Sequence, residues 1–142
     1  MSDKLKVLFV CIHNSARSQM AEAFLKQLAG NKFEVESAGI EPGKLNPIVV
    51  EAMKDVGIDI SGNRTQSVQS LIDAGKNFDY IFTVCDETQA ERCPLFPGGG
   101  KRIHVGFADP SSFVGTHEEK LRKTKEVRDQ IEAKIKDWIK SL

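Results

Sequence analysis

Leu5-Lys6-Val7-Leu8-Phe9-Val10 runs straight into Cys11-Ile12-His13-Asn14-Ser15-Ala16-Arg17-Ser18, and the join between the two decides the fold. The first six residues are apolar but for Lys6, the pattern of a strand buried on both faces of a parallel sheet. From Ala16 the spacing turns helical, with Met20, Phe24 and Leu28 four residues apart. Gly30 then stands where a helix C-cap calls for a left-handed residue. The carboxyl end of a strand is where open α/β sheets bind ligands. A helix N-terminus adds N–H groups and partial positive charge, which favour an anion.

The alternation continues along the chain. Phe33 to Ser37 reads as a second strand, Tyr80 to Val84 as a third and Arg102 to Val105 as a fourth. Asn46-Pro47 is an N-cap with proline at the first helical position. The helix it opens carries Ile48, Ala52, Met53 and Val56, and Gly57 closes it. A shorter helix is expected within Ser67 to Ala74. Thr116-His117-Glu118-Glu119 matches a capping box opening a long helix, whose apolar line runs Leu121, Val127, Ile131, Ile135, Trp138 and Leu142. The many charges on that helix read as a solvated face. Strands alternating with helices predict an α/β fold with a parallel sheet, expected to form one domain over residues 1–142. Asp86 to Lys101 is the one long irregular stretch, of the kind that more often carries function than packing.

Composition narrows the function classes. With 40% hydrophobic and 28% charged residues the chain has the make-up of an ordinary globular protein. Lys plus Arg equals Asp plus Glu at 20 each, which argues against broad nucleic-acid or membrane-surface binding. Any anion site must be local. Met1-Ser2-Asp3-Lys4 leads into only a short apolar run with no small-residue cleavage site, so no secretory signal is expected. Three cysteines are too few and odd in number for a disulfide scaffold, and thiols in a reducing cytoplasm are the better reading. No cofactor is expected.

A cysteine at the start of the loop has its thiolate stabilised by the helix field. Arg17 follows six residues later, and its planar fork can hold two oxygens of a phosphate-like ion while Cys11 attacks the central atom. Ser18 can donate to the Cys11 sulfur, and Asn14 can pin the loop. A lone cysteine at a strand end is usually a small buried hydrophobe. Nucleophile and oxyanion holder together, between a buried strand and a helix, make catalysis the stronger reading.

Cys11 to Ser18, Gln19-Met20-Ala21-Glu22, Ser37-Ala38-Gly39, Val84-Cys85-Asp86, Cys93-Pro94 and Asp109-Pro110 together resemble the low-molecular-weight protein tyrosine phosphatases and the arsenate reductases built on the same fold. The resemblance extends over nearly the whole chain. It implies a four-stranded parallel sheet flanked by helices, Cys11 as nucleophile and Arg17 as oxyanion binder. The substrate would lie in the loop of His13, Asn14, Ser15, Ala16, Arg17 and Ser18. By itself Asp109-Pro110 reads as a plain turn. The resemblance instead makes Asp109 a general acid for an oxygen leaving the substrate.

Cys85 and Cys93 separate the two branches of the family. Hydrolysis of a phosphomonoester needs one cysteine, whereas reduction of arsenate needs two electrons, which a dithiol supplies on becoming a disulfide. Alone, Cys85 at the end of the third strand is as readily explained by packing. Cys93, in a Pro/Gly-rich stretch, is harder to explain so. Zinc is disfavoured, because Cys-x7-Cys is not a usual ligand spacing and no fourth ligand is evident; no metal is expected.

The resemblance to three-cysteine arsenate reductases implies a relay from Cys11 to Cys85 to Cys93, with arsenate as substrate and thioredoxin as reductant. The alternative is a tyrosine-phosphatase-like hydrolase with both later cysteines as bystanders. A non-enzymatic thiol sensor would leave Arg17 and Asp109 without roles. The sequence departs from its relatives at a few places. His13 stands where many carry glycine, and its ring is expected to be exposed. The Cys85–Cys93 spacing is one residue longer than in some relatives. Ala16 and Ser111-Ser112 occupy positions where the phosphatases carry a second cysteine and often a tyrosine, which weakens the hydrolase reading.

Overall fold

In the computed structural model, which describes residues 4–84 and 100–142, strand β1 (Leu5–Cys11) buries Val7 to Cys11 without interruption. The period of two sends Val7, Phe9 and Cys11 into one apolar cluster and Leu8 and Val10 into another, so β1 is covered on both faces. Its parallel neighbours are β2 (Phe33–Gly39) on one side and β3 (Tyr80–Thr83) on the other. Strand β4 (Lys101–His104) pairs parallel with β3, giving the order β2-β1-β3-β4.

One face of the sheet is covered by helices α1 (Arg17–Ala29), α2 (Pro47–Lys54) and α4 (His117–Lys140). They bring Met20, Phe24, Leu25, Met53, Ile131 and Ile135 against the Val7/Phe9/Cys11 side. Helix α3 (Val68–Asp73) closes the other face, with Val68 and Leu71 against Leu8 and Val10. The four-stranded parallel sheet flanked by helices is as expected. No helix among the described residues is long and apolar enough to cross a membrane.

Local signals explain most boundaries. Asn46 Oδ1 accepts from the N–H groups of Ile48 and Val49 at 2.9 and 3.4 Å, the cap that starts α2. Gly57, just beyond α2, takes the left-handed φ of +81°. Thr116 Oγ1 accepts from Glu119 N–H at 3.1 Å, the forward half of the capping box, and its hydroxyl also meets the Glu119 carboxylate at 3.2 Å.

Several expectations are corrected. Gly30 is right-handed, at φ −61°, and glycine is needed there because a Cβ would run into the Lys26 carbonyl oxygen. Leu28 is 41% exposed: steps of four residues drift about 40° each around a helix, so Leu25 takes the buried place instead. Val56 and Leu142 lie past the ends of their helices and are exposed as well. Strands β3 and β4 end one residue earlier than expected, and edge strand β4 exposes Lys101, Arg102 and His104. Inside α4, the sequence reading missed a buried cation: Arg128 donates to Ala52 O at 2.8 Å and reaches Asp55 Oδ2 at 3.3 Å, clipping α4 to the end of α2.

The topology places one special point. From β1 the chain crosses to β2 on one side and later to β3 on the other, so a crevice opens beyond the carboxyl end of β1. Cys11 is the last residue of β1 and pairs in register with Gly39. A Cβ on Gly39 would lie 2.6 Å from Ile12 O and 2.8 Å from Asn14 N, inside any real contact distance. Because the obstacle is backbone, Gly39→Ala is expected to lower stability by about 1–3 kcal/mol. Urea denaturation measures this, and an unchanged midpoint would contradict the close approach.

Candidate active site

The Cys11–Ser18 loop is shaped from outside by the chain at residues 41–46. Glu41 N–H donates to Ile12 O at 2.9 Å, Gly43 N–H to His13 O at 3.0 Å and Asn46 N–H to Ser15 O at 3.0 Å. In a trans peptide the carbonyl and the following N–H point in opposite directions. Drawing these carbonyls outward therefore turns the next amides inward. Asn14 N–H shows the result, meeting the Cys11 sulfur at 3.2 Å.

Asn14 is the pivot. Its φ of +54° makes it the sole left-handed non-glycine among the described residues, a conformation asparagine tolerates better than most. Its Nδ2 donates to Ser18 Oγ at 2.8 Å, while its Oδ1 accepts from Gln66 N–H at 3.0 Å. Ser18 Oγ lies 2.9 Å from Cys11 Sγ. With its oxygen accepting from Asn14, the Ser18 hydroxyl has its hydrogen available for the sulfur, and an ionised sulfur can only accept. Cys11 itself is 3% exposed.

Helix α1 begins at Arg17, and Ala16 before it makes no side-chain cap. The positive end of the helix is therefore not screened by a capping oxygen of Ala16. Arg17 is buried, and its Nη1 donates to Phe107 O at 3.0 Å. Its Nη2 lies 3.7 Å from Asp109 Oδ2, so the structure brings Asp109 to the guanidinium. Asp109 also accepts from Ser111 N–H at 2.9 Å at the head of the 3-10 turn Pro110–Ser112.

Ser15 and Ala16 are buried within the loop. His13 is exposed, as expected, with Nδ1 3.0 Å from Glu41 O. Cys85 and Cys93 lie outside the described residues. Among the described residues no group of three or more His, Cys, Asp or Glu side chains could hold a metal ion.

The sequence reading missed the outer ring. Asn46, read as a helix cap, also donates from Nδ2 to Ser111 Oγ at 3.1 Å, joining the start of α2 to the Asp109 turn. Gln66 and Gln19 were not seen as part of the site. The available signal was Gln19 itself, a polar residue directly before Met20 at the buried start of α1. A buried sulfur bonded by its own loop, and a buried guanidinium on the following helix turn that meets a partly exposed carboxyl, are the groups needed to hold a tetrahedral oxyanion and protonate an oxygen leaving it.

Known proteins resemble this chain along nearly its whole length. An arsenate reductase of Bacillus subtilis is 44% identical over 97% of this chain and 96% of its own length. One from Shouchella clausii is 45% identical over 97% and 96%. Among solved structures, a thioredoxin-dependent arsenate reductase of Corynebacterium glutamicum matches with a TM-score of 0.68 and 28% identity, covering 99% of this chain and 63% of that one. The family model for low molecular weight phosphotyrosine protein phosphatases matches residues 6–142, which take in the Cys11–Ser18 loop, helix α1 and the Asp109 turn, and the chain belongs to that family.

Proposed function

We propose that this chain is an arsenate reductase of the cytoplasm, one catalytic domain over residues 1–142, which draws its electrons from thioredoxin. The observation that carries the reading is the Cys11–Arg17 cradle in a chain 44% identical, nearly end to end, to a protein named arsenate reductase. The thioredoxin-dependent neighbour supports the choice of reductant.

In the proposed reaction arsenate sits against the loop of His13 to Ser18, with Arg17 bridging its oxygens. The Cys11 thiolate attacks arsenic, an As–S bond forms, and Asp109 protonates the oxygen that departs as water. Cys85 then attacks the Cys11 sulfur. The As–S bond breaks, its electron pair stays on arsenic, arsenite leaves, and a Cys11–Cys85 disulfide remains. Cys93 attacks Cys85, which frees Cys11 and leaves a Cys85–Cys93 disulfide for thioredoxin to reduce. The cradle also accepts phosphate, so slow phosphomonoester hydrolysis does not discriminate between the family's two branches.

Purified protein with thioredoxin, thioredoxin reductase and a nicotinamide electron source should turn arsenate into arsenite over many cycles. Cys93→Ser should form arsenite roughly stoichiometrically and then stall, with mass spectrometry finding Cys11 joined to Cys85. Sustained turnover by Cys93→Ser would overturn the relay, and turnover of phosphotyrosine without any thiol reductant at a rate matching arsenate reduction would favour a phosphatase. Asp109→Asn keeps the size and the contact with Ser111 but cannot donate the carboxyl proton. It is expected to slow the first arsenite-forming turnover by about 10²- to 10⁴-fold, the usual worth of a general acid, as measured by rapid quench.

A further inference from the structure

Gln19 is 1% exposed on the first turn of α1, among Met20, Ala23 and the core, where an apolar side chain would be the ordinary occupant. Its amide is committed at both ends. Oε1 accepts from Asn63 Nδ2 at 3.1 Å, which fixes the orientation. Nε2 then faces three oxygens: Asn14 O at 3.0 Å, Asn14 Oδ1 at 3.3 Å and Arg64 O at 3.2 Å. A flipped amide would set Oε1 against all three, so one orientation is allowed.

Two of those three contacts go to Asn14, the left-handed residue whose N–H meets the Cys11 sulfur and whose Nδ2 holds Ser18. Holding both the carbonyl and the side-chain oxygen of one residue fixes its peptide plane and its side chain together. Without that hold, the left-handed conformation is less strongly favoured over the right-handed one that side chains prefer, and the N–H is less firmly aimed at the sulfur.

We propose that Gln19 is a positioning residue for the nucleophile: through its buried amide it locks Asn14 in the left-handed conformation that aims two hydrogen-bond donors, Asn14 N–H and the Ser18 hydroxyl, at Cys11. Gln19 touches neither substrate nor sulfur. The 63–64 segment supports it from behind, so residues far from the loop in sequence tune the reactivity of Cys11. The inference rests on the reading of Cys11 as nucleophile.

The test is alkylation of Cys11 by iodoacetamide across pH, followed by mass spectrometry of the Cys11 peptide, in the reduced full-length protein. Gln19→Met keeps length and apolar fit but removes the amide. At pH 6 its Cys11 should react about tenfold more slowly than in the unmodified chain, the worth of one hydrogen bond to an ionised group, with the profile displaced to higher pH. Gln19→Glu should approach the unmodified rate only under acid conditions that protonate the new carboxyl, since only that form donates.

A residue that merely supports the fold would lower the melting temperature and leave the profile in place. That result would overturn the proposal. Should Gln19→Met not fold, Asn63→Ala decides: a displacement of the profile in the same direction, several-fold at pH 6, supports the proposal and none refutes it. Failure of the underlying reading looks different, because Cys11 of the unmodified chain would then react no faster than a free thiol.

Discussion

A single residue held left-handed organises the loop that follows β1. Asn14 at φ +54° carries a conformational cost of about 1–2 kcal/mol. Against this stand its bonds to Cys11, Ser18, Gln66 and Gln19, each contributing about 1 kcal/mol net. The bonds outweigh the strain, so the conformation persists without help from a bound anion. The loop is thus shaped by its own bonds, and under the proposed function binding energy is not spent on ordering it.

The second constraint is charge. Arg17 is 3% exposed, and a buried guanidinium is costly unless it is engaged. The Phe107 carbonyl accepts from Nη1, and Asp109 Oδ2 lies 3.7 Å from Nη2. The carboxylate compensates part of the guanidinium's charge. A tetrahedral anion offers the bidentate partner for which the fork is better suited. Asp109, in turn, is steadied by Ser111 and through it by Asn46, so the carboxyl that meets the guanidinium is tied to the same backbone segment that shapes the loop.

Much of this was legible in the sequence because it is written in local chemistry. The buried run from Val7 to Val10, the cap at Asn46 and the box at Thr116 depend on neighbours in the chain, and the structure follows them. The cradle was legible for the same reason, since Cys11, Asn14, Arg17 and Ser18 lie within one turn and its helix. What escaped was non-local. Gln19 bonds across to Arg64 and Asn63, Gln66 reaches Asn14 from fifty-two residues away, and Arg128 finds Ala52. No periodicity marks such partners, because each depends on two segments meeting after the sheet has formed. Gly30 failed differently: the spacing located the helix end correctly, but a carbonyl's close approach, not handedness, demands glycine there.

The seating of Cys11 on the innermost strand has a consequence for traffic. Hydrogen-bonded parallel neighbours grip β1 on both edges and helices cover both its faces, so the strand that carries the sulfur is held in place. It behaves as a fixed terminus. In the proposed reaction, every species that exchanges a bond with it has to come inward through the crevice beyond the strand end. On that proposal, successive visitors queue for one berth, and vacancy there sets the order of events.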